Sequence, residues 1–150
     1  MKFGVLGPLA VWTPAGEKVI LRSRHQRTLM AVTLFRANQP VPVDQLVEAL
    51  WAGAPPASYL SNLHTYVSRL RELVGQDRLD HLDGCYVLRV EPDELDLLVF
   101  ASEAAAGRKA MAAGDPARAV GHLRRALAQW RGPHPLPELS LPLLEPDLAR

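Results

Sequence analysis

Hydrophobic and polar positions alternate with period two over the first 21 residues. Lys2–Leu6 alternates, Gly7-Pro8 turns, Leu9–Thr13 alternates again, and Pro14-Ala15-Gly16 leads into Glu17–Leu21. Short alternating runs joined by turn residues predict three strands in an antiparallel meander. From Ser23 onward the period becomes helical. Ser23-Arg24-His25-Gln26 has the form of a capping box, in which the serine caps the helix and the glutamine three residues on reaches back. Behind it Leu29, Met30, Ala31, Val32, Leu34 and Phe35 leave almost no polar face, which predicts a helix buried on most sides. Asn38-Gln39-Pro40 ends it. Pro42 opens a second helix in which Val43, Leu46, Val47 and Leu50 keep the i, i+3, i+4, i+7 spacing.

A third helix is predicted from Ala57 to Val74, with Leu60, Leu63, Val67, Leu70 and Val74 as its inner stripe. At 100° per residue, Ser61, Asn62, Thr65, Ser68, Arg69 and Glu72 fall on the opposite side, with Arg71 and Tyr66 on the two flanks. Two extended runs follow, Arg78–Leu82 and Cys85–Val90, joined by Asp83-Gly84. Asp-Gly between extended runs is a strong hairpin signal, because a type I′ turn needs φ > 0 at both central residues. Strands, three helices and a hairpin, in that order, predict an α+β winged helix-turn-helix over residues 1–92. Glu91-Pro92-Asp93-Glu94 reads as a boundary, and residues 93–150 as an all-α segment: helices at Phe100–Met111 and Ala117–Trp130, with Gly114-Asp115-Pro116 between them. Gly107, Ala119, Leu123 and Ala126 sit where small and apolar residues meet in a helical repeat of the tetratricopeptide type, whose period is about 34 residues. The tail from His134 to Arg150 is rich in Pro and Leu.

Composition places the 150-residue chain in the globular class, with 48% hydrophobic and 22% charged residues. The net charge of +1 names no partner by itself; its distribution is mildly informative. Residues 1–92 hold 10 basic and 8 acidic residues, while 93–150 hold 7 and 8. Arg22, Arg24, Arg27, Arg36, Arg69 and Arg71 concentrate the positive charge. The single cysteine, Cys85, excludes an internal disulfide framework. The N-terminus lacks the form of a signal peptide, and no run approaches a membrane span, so the expected location is the cytoplasm. Five histidines lack metal spacing, Cys85 has no evident partner base, and Gly4-Val5-Leu6-Gly7 matches no nucleotide-binding fingerprint. The chain is therefore expected to be neither an enzyme nor a cofactor carrier.

The chemistry lies on the outer face of the third helix. Ser61, Asn62, Thr65 and Ser68 are short hydrogen-bonding side chains that can approach base edges or phosphates closely, and Arg69 can pair with guanine or a phosphate. The plainer reading is a solvated face, but such faces favour Glu and Lys over these poorer helix formers. A single copy with few phosphate contacts binds weakly, so two or more copies on repeated half-sites are expected.

Met1-Lys2-Phe3-Gly4-Val5-Leu6-Gly7-Pro8-Leu9, Val41–Trp51, Pro55-Pro56-Ala57-Ser58, Asn62–Arg71 and Trp130-Arg131-Gly132 together resemble the Streptomyces antibiotic regulatory protein (SARP) family. That resemblance implies an OmpR-like winged helix joined to a bacterial transcriptional activation domain. It further implies binding to direct repeats of double-stranded DNA near promoters, recruitment of RNA polymerase holoenzyme, and control of secondary-metabolite (often antibiotic) genes. By position it makes Ala57–Val74 the recognition helix, with Ser61, Asn62, Thr65, Tyr66, Ser68 and Arg69 contacting DNA and Arg71 on the backbone. Arg24 and Arg27 join these as cationic candidates, and His81 and Arg89 stand for the wing. The loop Trp51, Ala52, Gly53, Ala54, Pro55 and Pro56 corresponds to the polymerase-facing segment, although Trp51 alone reads better as a core residue. Two departures concern the wing: Cys85 replaces a glycine before the wing tyrosine, and Leu82-Asp83 replaces a basic tip. About three repeats are needed to bury repeat helices, and the chain holds one and a fragment. Either it is truncated, or it is a short member completed by a partner or by self-association. The competing reading is a winged-helix and helical-repeat module that binds proteins without specific DNA recognition.

Overall fold

The computed structural model describes residues 1–137, which form two compact units. One comprises Met1–Lys18 with Glu91–Pro137, the other Val19–Val90. The boundary falls beside the predicted Glu91-Pro92 junction. However, the first strands group with the C-terminal helices rather than with the three helices that follow them in sequence. The tail beyond Pro137 lies outside the described residues. The observed class is α+β, with two small antiparallel sheets and five helices among the described residues.

In the unit Val19–Val90, α1 (Arg24–Phe35) starts as the capping box predicts: Ser23 accepts a hydrogen bond from the Gln26 amide at 3.4 Å. Every residue from Thr28 to Leu34 is buried, and the one hydroxyl that goes deepest, that of Thr33, donates to the Leu29 carbonyl at 2.8 Å. Asn38 ends the turn after α1 in the left-handed region (φ 66°) and does more than stop a helix. Its side chain donates to the Val90 carbonyl at 3.2 Å and accepts from the Val90 amide at 3.0 Å, so an asparagine stands in for a strand residue. Val41–Pro42 form a short strand, β4, before α2 (Val43–Trp51). The sequence reading assigned Pro42 only to the helix start; it also ends a strand, which proline permits where no ladder donor is needed.

The third helix, α3, runs Tyr59–Val74. Leu63, Val67, Leu70 and Val74 are its buried stripe; Leu60, expected in that stripe, is 47% exposed. The first turn overhangs the core, since Ala52–Ser58 before it are all exposed. A hairpin, β5 (Leu79–Leu82) and β6 (Cys85–Leu88), follows with Asp83 at φ 51° and Gly84 at φ 72°, the left-handed pair that the Asp-Gly signal requires. The sheet order is β4-β6-β5, with Val41 opposite Tyr86 and His81 opposite Tyr86 on the other side.

In the other unit, β1 (Lys2–Gly4) pairs antiparallel with β2 (Ala10–Trp12), Phe3 opposite Val11, and β3 (Lys18–Val19) completes the sheet where the chain leaves the unit. Two helices follow, α4 (Asp96–Ala112) and α5 (Pro116–Leu127). The first begins four residues before the predicted Phe100, and the reason is Asp96. Its carboxylate accepts the Val5 amide at 2.9 Å and the Leu6 amide at 2.9 Å, and stands 3.9 Å from the Arg131 guanidinium. Arg131 also donates its guanidinium to the Pro8 carbonyl and its amide to the Leu6 carbonyl, and lies 5.6 Å from the Trp12 ring centre. Gly4 leaves the space that the guanidinium occupies: a Cβ there would come within 2.6 Å of it and displace the Arg131 side chain. Gly7 sits at φ 136° against the same side chain. The Phe3–Pro8 and Trp130–Gly132 motifs, remote in sequence, thus form one joint. Between α4 and α5, Gly107 makes room for Leu123 and Ala119, and Glu103 pairs with His122 at 2.7 Å.

Burial pushes the Asp96 carboxyl above the ordinary carboxylate value, against the lowering effect of the Val5 and Leu6 amides and Arg131. The folded state therefore binds the Asp96 proton more tightly than the unfolded chain does. That contribution is full below the ordinary pKa of 3.8 and disappears as pH rises through the raised value. Urea unfolding across this window should show the native protein gaining stability relative to Asp96→Asn on acidification. A difference that stays constant or shrinks on acidification would contradict the assignment.

Candidate nucleic-acid interface

The burial of Leu63, Val67, Leu70 and Val74 decides what α3 turns outward. Leu60, Ser61, His64, Thr65, Ser68, Arg69 and Glu72 are exposed along its length. Four of the predicted contacts, Ser61, Thr65, Ser68 and Arg69, lie on this face; Asn62 is half-buried at its edge. Among the described residues neither the Ser61 hydroxyl nor the Arg69 guanidinium has a protein partner, so both can meet a ligand without breaking an internal bond. Thr65 differs: its hydroxyl donates to the Ser61 carbonyl at 3.1 Å, leaving its methyl and lone pairs for a ligand. Leu60 and His64 were not among the sequence candidates. His64 falls at the edge of the polar arc, about 40° beyond Ser68 on the side of Arg71, and the fold leaves it exposed.

Several other candidates already have internal partners. The Arg71 Nε donates to the Leu79 carbonyl at 3.1 Å, tying the end of α3 to β5. Burial raises the pKa of the neighbouring Tyr86 phenol, and the Arg71 charge opposes that rise. Arg27 donates to the carbonyls of Leu21 (2.8 Å) and Arg22 (2.9 Å), holding the segment before α1, whereas Arg24 is exposed. On the hairpin, Arg89 pairs with Asp80 at 3.0 Å, and the exposed His81 stacks on Tyr86 with ring centres 4.2 Å apart.

Tyr66 stacks on His25 at 5.0 Å between ring centres, with planes 11° apart. Trp51 lies 5.9 Å from His25, 6.3 Å from Tyr66 and 6.4 Å from Tyr59. Four rings therefore join the start of α1, the end of α2 and the first half of α3. Trp51 is half-buried in this cluster, while Ala52, Gly53, Ala54, Pro55 and Pro56 are exposed beside it. Ala52 is left-handed (φ 48°), and the Ala54 amide bonds the Trp51 carbonyl at 3.0 Å, so the loop has a defined turn. The part played by His25 was not legible, because only the fold brings its ring to Tyr66. Among the described residues no group of three or more His, Cys, Asp or Glu converges, and Cys85 is half-buried and unpaired.

The structure defines an α+β fold with two small antiparallel sheets and a helix whose polar face is turned outward, and comparison with known proteins narrows it. Residues 95–149 match the bacterial transcriptional activator domain family. The chain is 36% identical over 132 residues to regulatory protein AfsR of Streptomyces griseus, covering 88% of this chain and 13% of that protein. It is 38% identical over 139 residues to transcriptional regulatory protein EmbR of Mycobacterium tuberculosis, covering 89% of this chain and 36% of that one. The solved structure of M. tuberculosis EmbR in complex with a low-affinity phosphopeptide superposes with a TM-score of 0.89 at 37% identity, over 99% of this chain and 40% of that one. These matches support the Streptomyces antibiotic regulatory protein family as the one to which the chain is similar. It spans well under two thirds of the length of these relatives, which are regulators of transcription.

The two neighbouring arginines of α3 should separate in a stability measurement. Arg71→Ala removes a hydrogen bond that anchors β5 and should cost about 1 kcal/mol. Arg69→Ala removes no internal contact and should stay within about 0.5 kcal/mol. Denaturant titration of both variants checks this; equal losses would contradict the division of roles.

Proposed function

We propose that the chain is a sequence-specific DNA-binding transcriptional activator. In this reading Val19–Val90 is a winged helix-turn-helix. Its helix α3 enters the major groove, and the β5–β6 hairpin is the wing. The observation that carries the proposal is the outward face of α3, where Ser61, Thr65, Ser68 and Arg69 stand free of the core. Arg69 supplies a bidentate pairing to guanine or phosphate, and the short side chains allow the close approach that base edges require. Arg24 adds a phosphate contact at the start of α1. Arg27, Arg71 and Tyr66 act mainly by positioning, since each already has an internal partner. Asn62, half-buried, meets the edge of the groove. The wing contributes little through Arg89, which Asp80 neutralises, and somewhat more through the exposed His81.

The net charge of the chain is small, so one copy binds weakly; two or more copies occupy direct repeats of double-stranded DNA near a promoter. The exposed loop Ala52–Pro56, held by the Trp51 cluster, docks on RNA polymerase holoenzyme. The α4–α5 pair is a tetratricopeptide-like element of the activation domain, in line with the family match over residues 95–149. The genes controlled are those of secondary metabolism, and the chain works in the cytoplasm without catalysing a reaction. No helix among the described residues is long and apolar enough to cross a membrane.

Selection from a random duplex pool at near-physiological salt tests this reading. A direct repeat with a spacing of about one helical turn should emerge. Arg69→Ala should lose the preference while remaining folded, and each phosphate contact it removes should lower the salt slope by about 0.9. Equal binding to all sequences, with Arg69→Ala indistinguishable from the native chain, would transfer the assignment to a protein-interaction module.

A further inference from the structure

The Leu60 side chain departs from the buried stripe to which the helical period assigns it. It is the second residue of α3 and 47% exposed, on a turn that extends past the core. A single exposed leucine is ordinary; the surroundings of this one are not. Its neighbour one turn on is the exposed His64, and among the described residues of α3 Leu60 is the exposed large hydrophobic residue. The turn that carries it is fixed. The Tyr59 amide donates to the Pro56 carbonyl at 3.1 Å, and the Tyr59 ring meets Trp51 edge-on at 6.4 Å. The first turn also contains no acidic residue, although acids are favoured at helix N-termini, so nothing there repels a polyanion.

We propose that Leu60 is a specificity-determining residue that packs on the 5-methyl group of a thymine. The inference rests on α3 being the DNA-reading helix. It adds an apolar element that the polar candidates alone cannot supply. In the major groove, thymine is marked by one acceptor, O4, beside one methyl group. An exposed apolar side chain on a fixed turn complements the methyl group, the feature that the polar candidates on the rest of the face cannot read. The leading turn is also the part of a recognition helix that reaches base edges in helix-turn-helix docking.

Deoxyuridine scanning of the selected duplex tests this directly, because replacing thymine by deoxyuridine removes the methyl group and leaves pairing and O4 intact. The full native chain should lose about three- to fivefold in affinity at one thymine of each half-site, the value of one buried methyl group. Leu60→Ala should bind the unmodified duplex more weakly by a similar factor and no longer respond to deoxyuridine at that position. Circular dichroism should show the variant folded, since the side chain lies outside the core. Native binding that is insensitive to every deoxyuridine overturns the proposal. So does a Leu60→Ala variant that keeps full sensitivity, because the two changes must be coupled if the groups touch. Specific binding lost at Arg69→Ala but untouched by either change would sink the role of Leu60 alone. Absence of any sequence preference would remove the DNA reading itself, and with it this proposal.

Discussion

Four buried side chains, Leu63, Val67, Leu70 and Val74, decide the orientation of the helix on which the functional reading depends. Each contributes about 1.5–3 kcal/mol by leaving water, far more than any surface contact of the same helix. Rotating α3 by one residue would move this stripe by 100° and expose it. The outward direction of Ser61, Thr65, Ser68 and Arg69 is therefore a consequence of core packing. The aromatic cluster of His25, Trp51, Tyr59 and Tyr66 adds a second restraint near the leading end, where a helix that reads DNA needs to be rigid. In the proposed reading, function and packing use different arcs of one helix, and the same sequence period serves both.

The other unit relies on a different kind of interaction. The Asp96 carboxylate accepts two backbone amides of the Val5-Leu6 segment, and Arg131 satisfies the carbonyls of Leu6 and Pro8. Both side chains act as substitutes for a strand. The motifs at the start of the chain and at Trp130–Gly132 carry part of the family resemblance, and here they have a physical account. Gly4 and Gly7 are small because Arg131 occupies the space above them. Those motifs build a fold, while Asn62–Arg71 carries the surface proposed to meet DNA.

Much of this was legible in the sequence, for reasons that differ by element. The capping box at Ser23, the all-apolar α1 and the Asp83-Gly84 turn are local signals, and local signals suffice for them. Leu60 misled because periodicity places a residue on an arc without saying how far the core extends along the helix. The β4 strand was hidden because two residues have no period, and its partner β6 lies more than 40 residues away. The roles of Arg27, Arg71 and Arg89 were hidden for a related reason. In sequence each is a free cation, and only the fold supplies Leu21, Leu79 and Asp80 as partners. The outer-face position of Arg69 is legible in the sequence; its freedom from internal partners is visible only in the fold. The grouping of Met1–Lys18 with the C-terminal helices was beyond reach, since the Asp96 and Arg131 contacts that produce it span some 90 and 125 residues.

The central claim is that the exposed arc of α3 is the surface that meets DNA. Amide chemical shifts of the full chain, followed by NMR during titration with the selected duplex, test it most directly. The account predicts that the largest changes fall on Leu60–Glu72, with smaller ones at the start of α1 and in the β5–β6 hairpin, and that α4 and α5 stay nearly unchanged. Changes centred on α4 and α5, with α3 silent, would contradict it.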